Sequence, residues 1–319
     1  MSKATTICLL GLAAAAATAA PNMGGEAAAY AKAAVRHRLA SLRQLDGWFV
    51  EETYWNNAPE ARLRPVVSSV AHIFYWGNRS GWLADQLTRR AGSAEADYLR
   101  AARDGLMYRE WTAGADGTVW TSPDGPPGPP IVATLDWDPS GGGATDASRL
   151  LACEIDDVTR ERLGAWEVDR VSGRSPATGA RWQWWLAPGG GFYAVKARLA
   201  TTRHEKGGVV EERYARAAMD LTEIAPGVWL PRRILETPSW QVAGKPWVWG
   251  NVTRVTVLEA HANRDDSSLP FQMIAPPGTR IAGQTPVAYV GGDISPFLER
   301  LAAGPDRDLL AFAKEHAAP

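Results

Sequence analysis

The chain has 319 residues, 45% of them hydrophobic, with 34 basic and 35 acidic side chains and a formal charge of -1. That length suits one large domain or two modest ones, with a core that needs no covalent staples. The near-neutral balance argues against a nucleic-acid partner, which requires a basic face.

Met1 to Ala20 reads as a secretory signal. Lys3 supplies the positive start, Ile7–Ala17 the apolar centre, and Ala17-Thr18-Ala19 a small-residue cleavage site. The run is too short and too Ala-rich for a convincing membrane span, the alternative being an uncleaved anchor. The mature chain is therefore expected in the periplasm, cut near residues 19–20. Cys8 leaves with the leader, and Cys153 is then read as a small buried apolar residue with no disulfide partner.

Glu26–Leu45 reads as a helix: Ala-rich, with Glu26 early and Arg36, Arg38 and Arg43 late, as the helix dipole prefers. Val35, Leu39 and Leu42 share one face. Asp46-Gly47 is expected to end it, with Gly47 as a left-handed cap. Trp48–Trp55 has the aromatic and β-branched content of a strand. Two hairpins follow. The first is Val66–Trp76 and Trp82–Leu87 about Asn78-Arg79-Ser80-Gly81; the second is Leu106–Thr112 and Thr118–Thr121 about Ala115-Asp116-Gly117. Ser93–Arg103, between them, reads as a short helix or loop. Ser122–Ser148, rich in Pro and Gly, reads as a long excursion of the kind that forms lids. Leu150–Val158 and Ala165–Val171 are predicted strands.

Arg181–Ala260 is the stretch with the strongest pattern. Trp182, Trp184 and Trp185 open it, and Trp247 and Trp249 begin its last strand. In Gly191–Thr202, Tyr193, Val195, Ala197 and Leu199 alternate with Ala194, Lys196 and Arg198. In Val209–Ile224, Ala215, Ala217, Met219 and Leu221 alternate with Tyr214, Arg216, Asp220 and Thr222. A period of two puts each set on its own face of a pleated strand. Val228–Thr237 continues the run. Turns at Pro188–Gly191, Lys206–Gly208, Pro226-Gly227 and Gly244–Pro246 are too short for parallel crossovers, so an antiparallel meander is predicted. Beyond it, Phe271–Ile274 reads as a short strand. Residues 286–319 carry helix signals, including a Ser295 cap and a stop at Gly304.

No chemistry declares itself. His37, His72, His204, His261 and His316 are scattered, without metal-ligand spacing, so no metal and no cofactor are expected. Glu154, Asp156 and Asp157 form an acidic patch that lacks the spacing of a calcium loop. Glu51-Glu52 and Glu211-Glu212 are neighbours on strands and point to opposite faces, so neither is an acid–base pair. Gly189–Gly191 precedes a strand rather than a helix, unlike a phosphate cradle.

Three segments carry a resemblance. Trp184-Trp185-Leu186-Ala187-Pro188-Gly189-Gly190-Gly191-Phe192, Gly227-Val228-Trp229-Leu230-Pro231, and Asp265–Phe271 with Pro276-Pro277-Gly278-Thr279 resemble the tryptophan strand, strand start and closing strand of one family. It is the bacterial outer-membrane lipoprotein-sorting family, similar to the periplasmic lipoprotein carrier and its receptor. The resemblance covers roughly residues 26–283 and leaves the excursion at 122–148 and the tail at 284–319 unexplained. The acidic residue often found after the Pro-Gly-Thr turn is missing here. The resemblance implies an α+β fold, mainly antiparallel β. Its strongly curved half-barrel sheet holds helices on the concave side, followed by a short helical C-terminal tail. It implies a non-enzymatic carrier that sequesters lipoprotein acyl chains or another apolar ligand in the concavity. The partners would be a lipid or lipidated protein and an inner- or outer-membrane protein. Trp182, Trp184, Tyr193, Met219, Trp247 and Trp249 are the expected apolar wall, with no catalytic residues. Against this stands the alternative that Trp and Ala interleave to fill the core. An envelope sensor or scaffold module and, last, a hydrolase with a loop lid are the rival functions.

Overall fold

The computed structural model describes residues 24–55, 58–59, 66–91, 93, 96–104, 107–112, 120–122, 130–137, 145–205 and 208–264. The predicted leader, the Ala115–Gly117 turn, the Phe271–Ile274 strand and the helical tail lie outside them.

Among the described residues, three helices are α1 (Gly24–Ser41), α2 (Pro130–Thr134) and α3 (Asp146–Ala152). The strands up to the excursion are β1 (Gln44–Trp55), β2 (Ala58–Pro59), β3 (Val66–Asn78), β4 (Gly81–Arg90), β5 (Ala96–Asp104), β6 (Met107–Thr112) and β7 (Trp120–Ser122). Those after it are β8 (Glu154–Leu163), β9 (Trp166–Arg174), β10 (Arg181–Ala187), β11 (Tyr193–Glu205), β12 (Gly208–Ala225), β13 (Val228–Val242), β14 (Val248–Trp249) and β15 (Val252–Ala262). They form one open antiparallel sheet in the order β7-β6-β5-β4-β3-β1-β15-β13-β12-β11-β10-β9-β8, with β2 and β14 as a side pair. The predicted meander is there, and β15 crosses back to pair with β1, joining the two halves.

The sheet bends round its helices. Tyr75 on β3 meets Trp137 edge-on at 5.8 Å, and Tyr193 on β11 donates to the carbonyl of Leu135 at 2.8 Å. β3 and β11 are five strand spacings apart, about 24 Å in a flat sheet. Leu135 and Trp137 are two residues apart, about 7 Å of chain at most. One short segment reaches both strands because the sheet curls toward it, giving the curved half-barrel with helices in its concavity.

Two apolar clusters fill that concave side. One joins Leu42, Ile131, Leu135 and Trp137 to Phe49, Ile73, Tyr75 and Ile234. The other joins Ala31 and Val35 of α1 and Leu150 of α3 to Trp182, Trp184 and Ala197. The second face is also buried over β1, β13 and β15, at Tyr54, Leu235 and Val252.

Four local expectations change. α1 stops at Ser41, before Asp46-Gly47, because Asn263 at the end of β15 takes over its last turn. The Asn263 side-chain nitrogen donates to the Ser41 carbonyl at 2.7 Å, and its oxygen accepts from the Arg43 N–H at 2.7 Å. Gly47 lies in β1, where a Cβ would meet the Glu259 carbonyl oxygen at 2.2 Å, so the glycine serves close strand approach and not a cap. Residues 96–104 form strand β5, because pairing with β4 and burial of Ala101 and Ala102 outweigh a weak local pattern. Leu150–Ala152 are helical: Thr145 caps α3 by accepting from the Ser148 N–H at 3.0 Å, and β8 starts only at Glu154. The Asn78 turn behaves as read, its side-chain oxygen accepting from the Ser80 and Gly81 N–H groups.

Candidate functional site

Two assemblies stand out, one on each face of β10–β13. On the concave side, Arg216 of β12 is 1% exposed. Its guanidinium donates to the carbonyls of Ala194 at 3.0 Å and Thr134 at 2.9 Å, and to the Tyr193 hydroxyl oxygen at 2.7 Å. Asp146 and Glu236 each lie 3.5 Å away. Arg38 of α1 pairs with Asp136 at 2.7 Å, and Asp136 also accepts from the Ala147 N–H at 2.7 Å, at the start of α3. This cage ties all three helices to the sheet.

Its charges are out of balance. Asp136, Asp146 and Glu236 face two arginines, the partly buried Arg38 and the buried Arg216, with half-exposed Arg149 beside Asp146. Burial pushes the Asp146 carboxyl up to about 6 despite the pull of Arg216, with Asp136 and Glu236 adding to the rise. Burial also raises Glu236, and it raises Glu51, where Glu236 adds repulsion. The Tyr193 hydroxyl is pushed up to about 12 by burial. Desolvation works against the charge on Arg216, but Tyr193, Asp146 and Asp136 outweigh it and hold the cation firmly.

The second assembly is a cavity of about 640 Å³ over β8–β14. Strand register explains its floor. Arg174, Arg181, Ala200, Arg213, Ser239 and Trp249 are successive cross-strand partners from β9 to β14. Directly opposite residues share a face, so these six form one row. Two residues along, Ser172, Gln183, Arg198, Ala215 and Thr237 form a parallel row. Both rows line the cavity and lie on the face away from the helices, since the alternate residues Trp184, Ala197 and Arg216 face them. Its volume falls within the range of small-molecule sites. By contrast, a crevice between the end of α1 and Val228–Leu230 holds only about 10 Å³.

The predicted wall residues are divided between these places. Trp249 lies on the cavity floor, whereas Trp182 borders the cavity from the helix-facing side of β10. Trp182 also stacks on Trp184 at 5.6 Å, with Arg149 over its ring at 5.0 Å. Trp184 is fully buried in the concave cluster. Tyr193 is fully buried in the Arg216 cage. Met219 is half-buried against Tyr54, Ala215, Leu235 and Val252. Trp247 is half-buried, with the Arg213 guanidinium 4.2 Å from its ring centre. Cys153 is buried and burial raises its thiol, which makes it a poor nucleophile. Of the acidic patch, Asp156 lines the cavity, while Asp157 accepts from the Thr159 hydroxyl at 2.7 Å.

Sequence reasoning missed the arginines on both faces. Arg216 was assigned only to an alternate face; nothing local separates a buried strand arginine from a solvated one. Arg174, Arg181, Arg198 and Arg213 sit on four different strands, and only the register aligns them. Their one sequence signal is a polar residue at every second position, Ser172-x-Arg174 and Arg181-x-Gln183, which repeats on one face of neighbouring strands.

No family model matches the chain, and no curated protein matches it in sequence. Among solved structures it is similar to a DUF1329 family protein from Desulfovibrio piger ATCC 29098, at 8% identity over 75% of this chain and 93% of that one, with a TM-score of 0.41. A second, an engineered protein studied for asymmetric conductivity, gives 7% identity over 67% and 99% and a TM-score of 0.20. At such scores neither likeness bears on function.

Proposed function

We propose that this chain is a non-enzymatic binding or carrier protein of the periplasm that takes up a ligand with an apolar body, such as an acyl chain. The cavity over β8–β14 is the observation that carries it: about 640 Å³ of open volume with Ala200, Ala215 and Trp249 as the apolar part of its floor. Apolar surface moved there from water contributes about 25 cal/mol per Å², so one buried acyl tail supplies a usable affinity. The concave side is a less favoured seat, because Trp184 and Tyr193 are already packed against this chain's own helices and strands. The lipid-bearing ligand, the membrane partner and the exported location belong to the same proposal. They rest on the apolar leader and the resemblance of the tryptophan segments.

The test is ligand capture. Protein purified from an exporting host should release an acyl-bearing species on organic extraction. The delipidated protein should bind a fluorescent acyl probe at a ratio near one. Ala200 is exposed on the cavity floor, so Ala200→Trp should block uptake and leave the fold unchanged. A protein with no extractable ligand and no probe binding would end the carrier reading.

A further inference from the structure

The cavity is not simply greasy. Four arginines line it, Arg174, Arg181, Arg198 and Arg213, against one carboxylate, Asp156. Arg174 and Arg181 stand directly opposite each other on β9 and β10. Like charges placed directly opposite are destabilising. No carboxylate relieves them. Among the described residues, none of the four makes an ion pair; Arg198 lies over the ring of Trp185 and Arg213 over that of Trp247. Glu154 stands across from Arg174 on β8 and Glu211 lies two residues before Arg213, yet neither is within ion-pairing distance of them. Several other sheet arginines do find a carboxylate: Arg203 pairs with Glu212, Arg233 with Asp220, and Arg254 with Glu52.

A second observation points the same way. Trp249 closes the row, is 2% exposed, and its indole N–H has no hydrogen-bond partner among the described residues. A buried donor left unpaired is destabilising, and an acceptor oxygen entering beside Trp249 would relieve it once a small shift of the ring opens the N–H, which the resting structure seals from solvent. Ser239 and Thr237, side by side with Trp249 and Ala215, add hydroxyls to the same floor.

We infer that the cavity is the site of a phosphate-bearing amphiphile, with its phosphate held by the arginines of β9–β12 and its apolar body lying over Ala200, Ala215 and Trp249. The inference rests on the carrier reading and names the ligand's head. Arginine suits the role because its planar fork of N–H donors matches phosphate oxygens in pairs and stays charged at any physiological pH. Arg174 and Arg181, abreast on neighbouring strands, can grip one phosphate from two sides. Ala200, between Arg181 and Arg213 in the row, leaves room for the body of the ligand to pass between the charges.

The experiment uses the delipidated full chain and three probes: a lysophosphatidic acid, the monoacylglycerol of the same chain length, and inorganic phosphate, with the lipids below their micelle concentrations. Binding is read by tryptophan fluorescence and calorimetry at low and high salt. The phosphorylated lipid is expected to bind at least about tenfold tighter than its neutral counterpart. That margin should shrink with salt as the charges are screened. Arg174→Gln with Arg181→Gln should remove the margin by weakening the phosphorylated lipid more than the neutral one; both side chains are exposed, and an unchanged urea midpoint shows that the fold survives. Equal binding of the two lipids, or a double variant that keeps the margin, overturns the head-group assignment and leaves the carrier reading standing. Inorganic phosphate binding as tightly as the phosphorylated lipid also overturns it, because the site would then take a free anion. Failure of both lipids to bind sinks the carrier reading itself.

Discussion

Arg216→Met is the most informative single change. Methionine keeps much of the volume and removes the charge. The substitution deletes three hydrogen bonds, to Ala194, Thr134 and Tyr193, and the countercharge 3.5 Å from both Asp146 and Glu236. Removing one partner of a buried ion pair costs about 3–5 kcal/mol, because the survivor is left charged in a dry site. Here two carboxylates survive, so the upper part of that range is expected at neutral pH. The loss must depend on pH. Asp146 and Glu236 already sit above the ordinary carboxylate range because of burial, and without Arg216 they rise further. A carboxyl raised in the folded state binds its proton more tightly there than in the unfolded chain, so stability falls as pH rises. At pH 5 Asp146 in the variant is mostly protonated, and the upward shift of Glu236 favours its neutral form as well, so the unpaired charge shrinks. The deficit at pH 5 should therefore be smaller than at pH 7.5 by at least about 1 kcal/mol. Urea titration followed by tryptophan fluorescence at the two pH values measures it. A deficit below about 1 kcal/mol at pH 7.5, or one that is the same at both pH values, would refute a cage held by buried charge.

Three further outcomes follow from the same geometry. In the wild type, Asp146 keeps its proton up to about pH 6 when folded, so stability should decline between about pH 4 and 6; Asp146→Asn should flatten part of that decline, with Glu236 and Glu51 supplying the rest. Asp136→Ala breaks the 2.7 Å pair with Arg38 and the bond to the Ala147 N–H. It should cost about 3 kcal/mol and speed hydrogen exchange in α1 and α3 more than in β10–β13. Gly47→Ala forces a Cβ to within 2.2 Å of the Glu259 oxygen, and parting β1 from β15 should cost about 1–3 kcal/mol, read as a lowered urea midpoint.

Much of the architecture was legible in the residues alone. The meander from Arg181 to Ala260, the Asn78 hairpin and the Ala-rich first helix follow from period and turn chemistry, which act over a few residues. The end of α1 was not legible, because its cap comes from Asn263, more than two hundred residues away. Nor was β5, whose strand state is decided by β4 beside it.

The candidate site divides along the same line. Tryptophans and small residues on alternating strands already announced an aromatic-lined sheet, since side-chain direction has a period of two whatever the partner strand. Which face each residue meets, and what stands across from it, depends on register. Only the folded sheet sets Arg174 against Arg181, carries the row on to Trp249, and turns Arg216 inward to meet Asp146. Charge pairing is a matter of a few ångströms between atoms far apart in the chain, and those distances exist only once the strands are aligned.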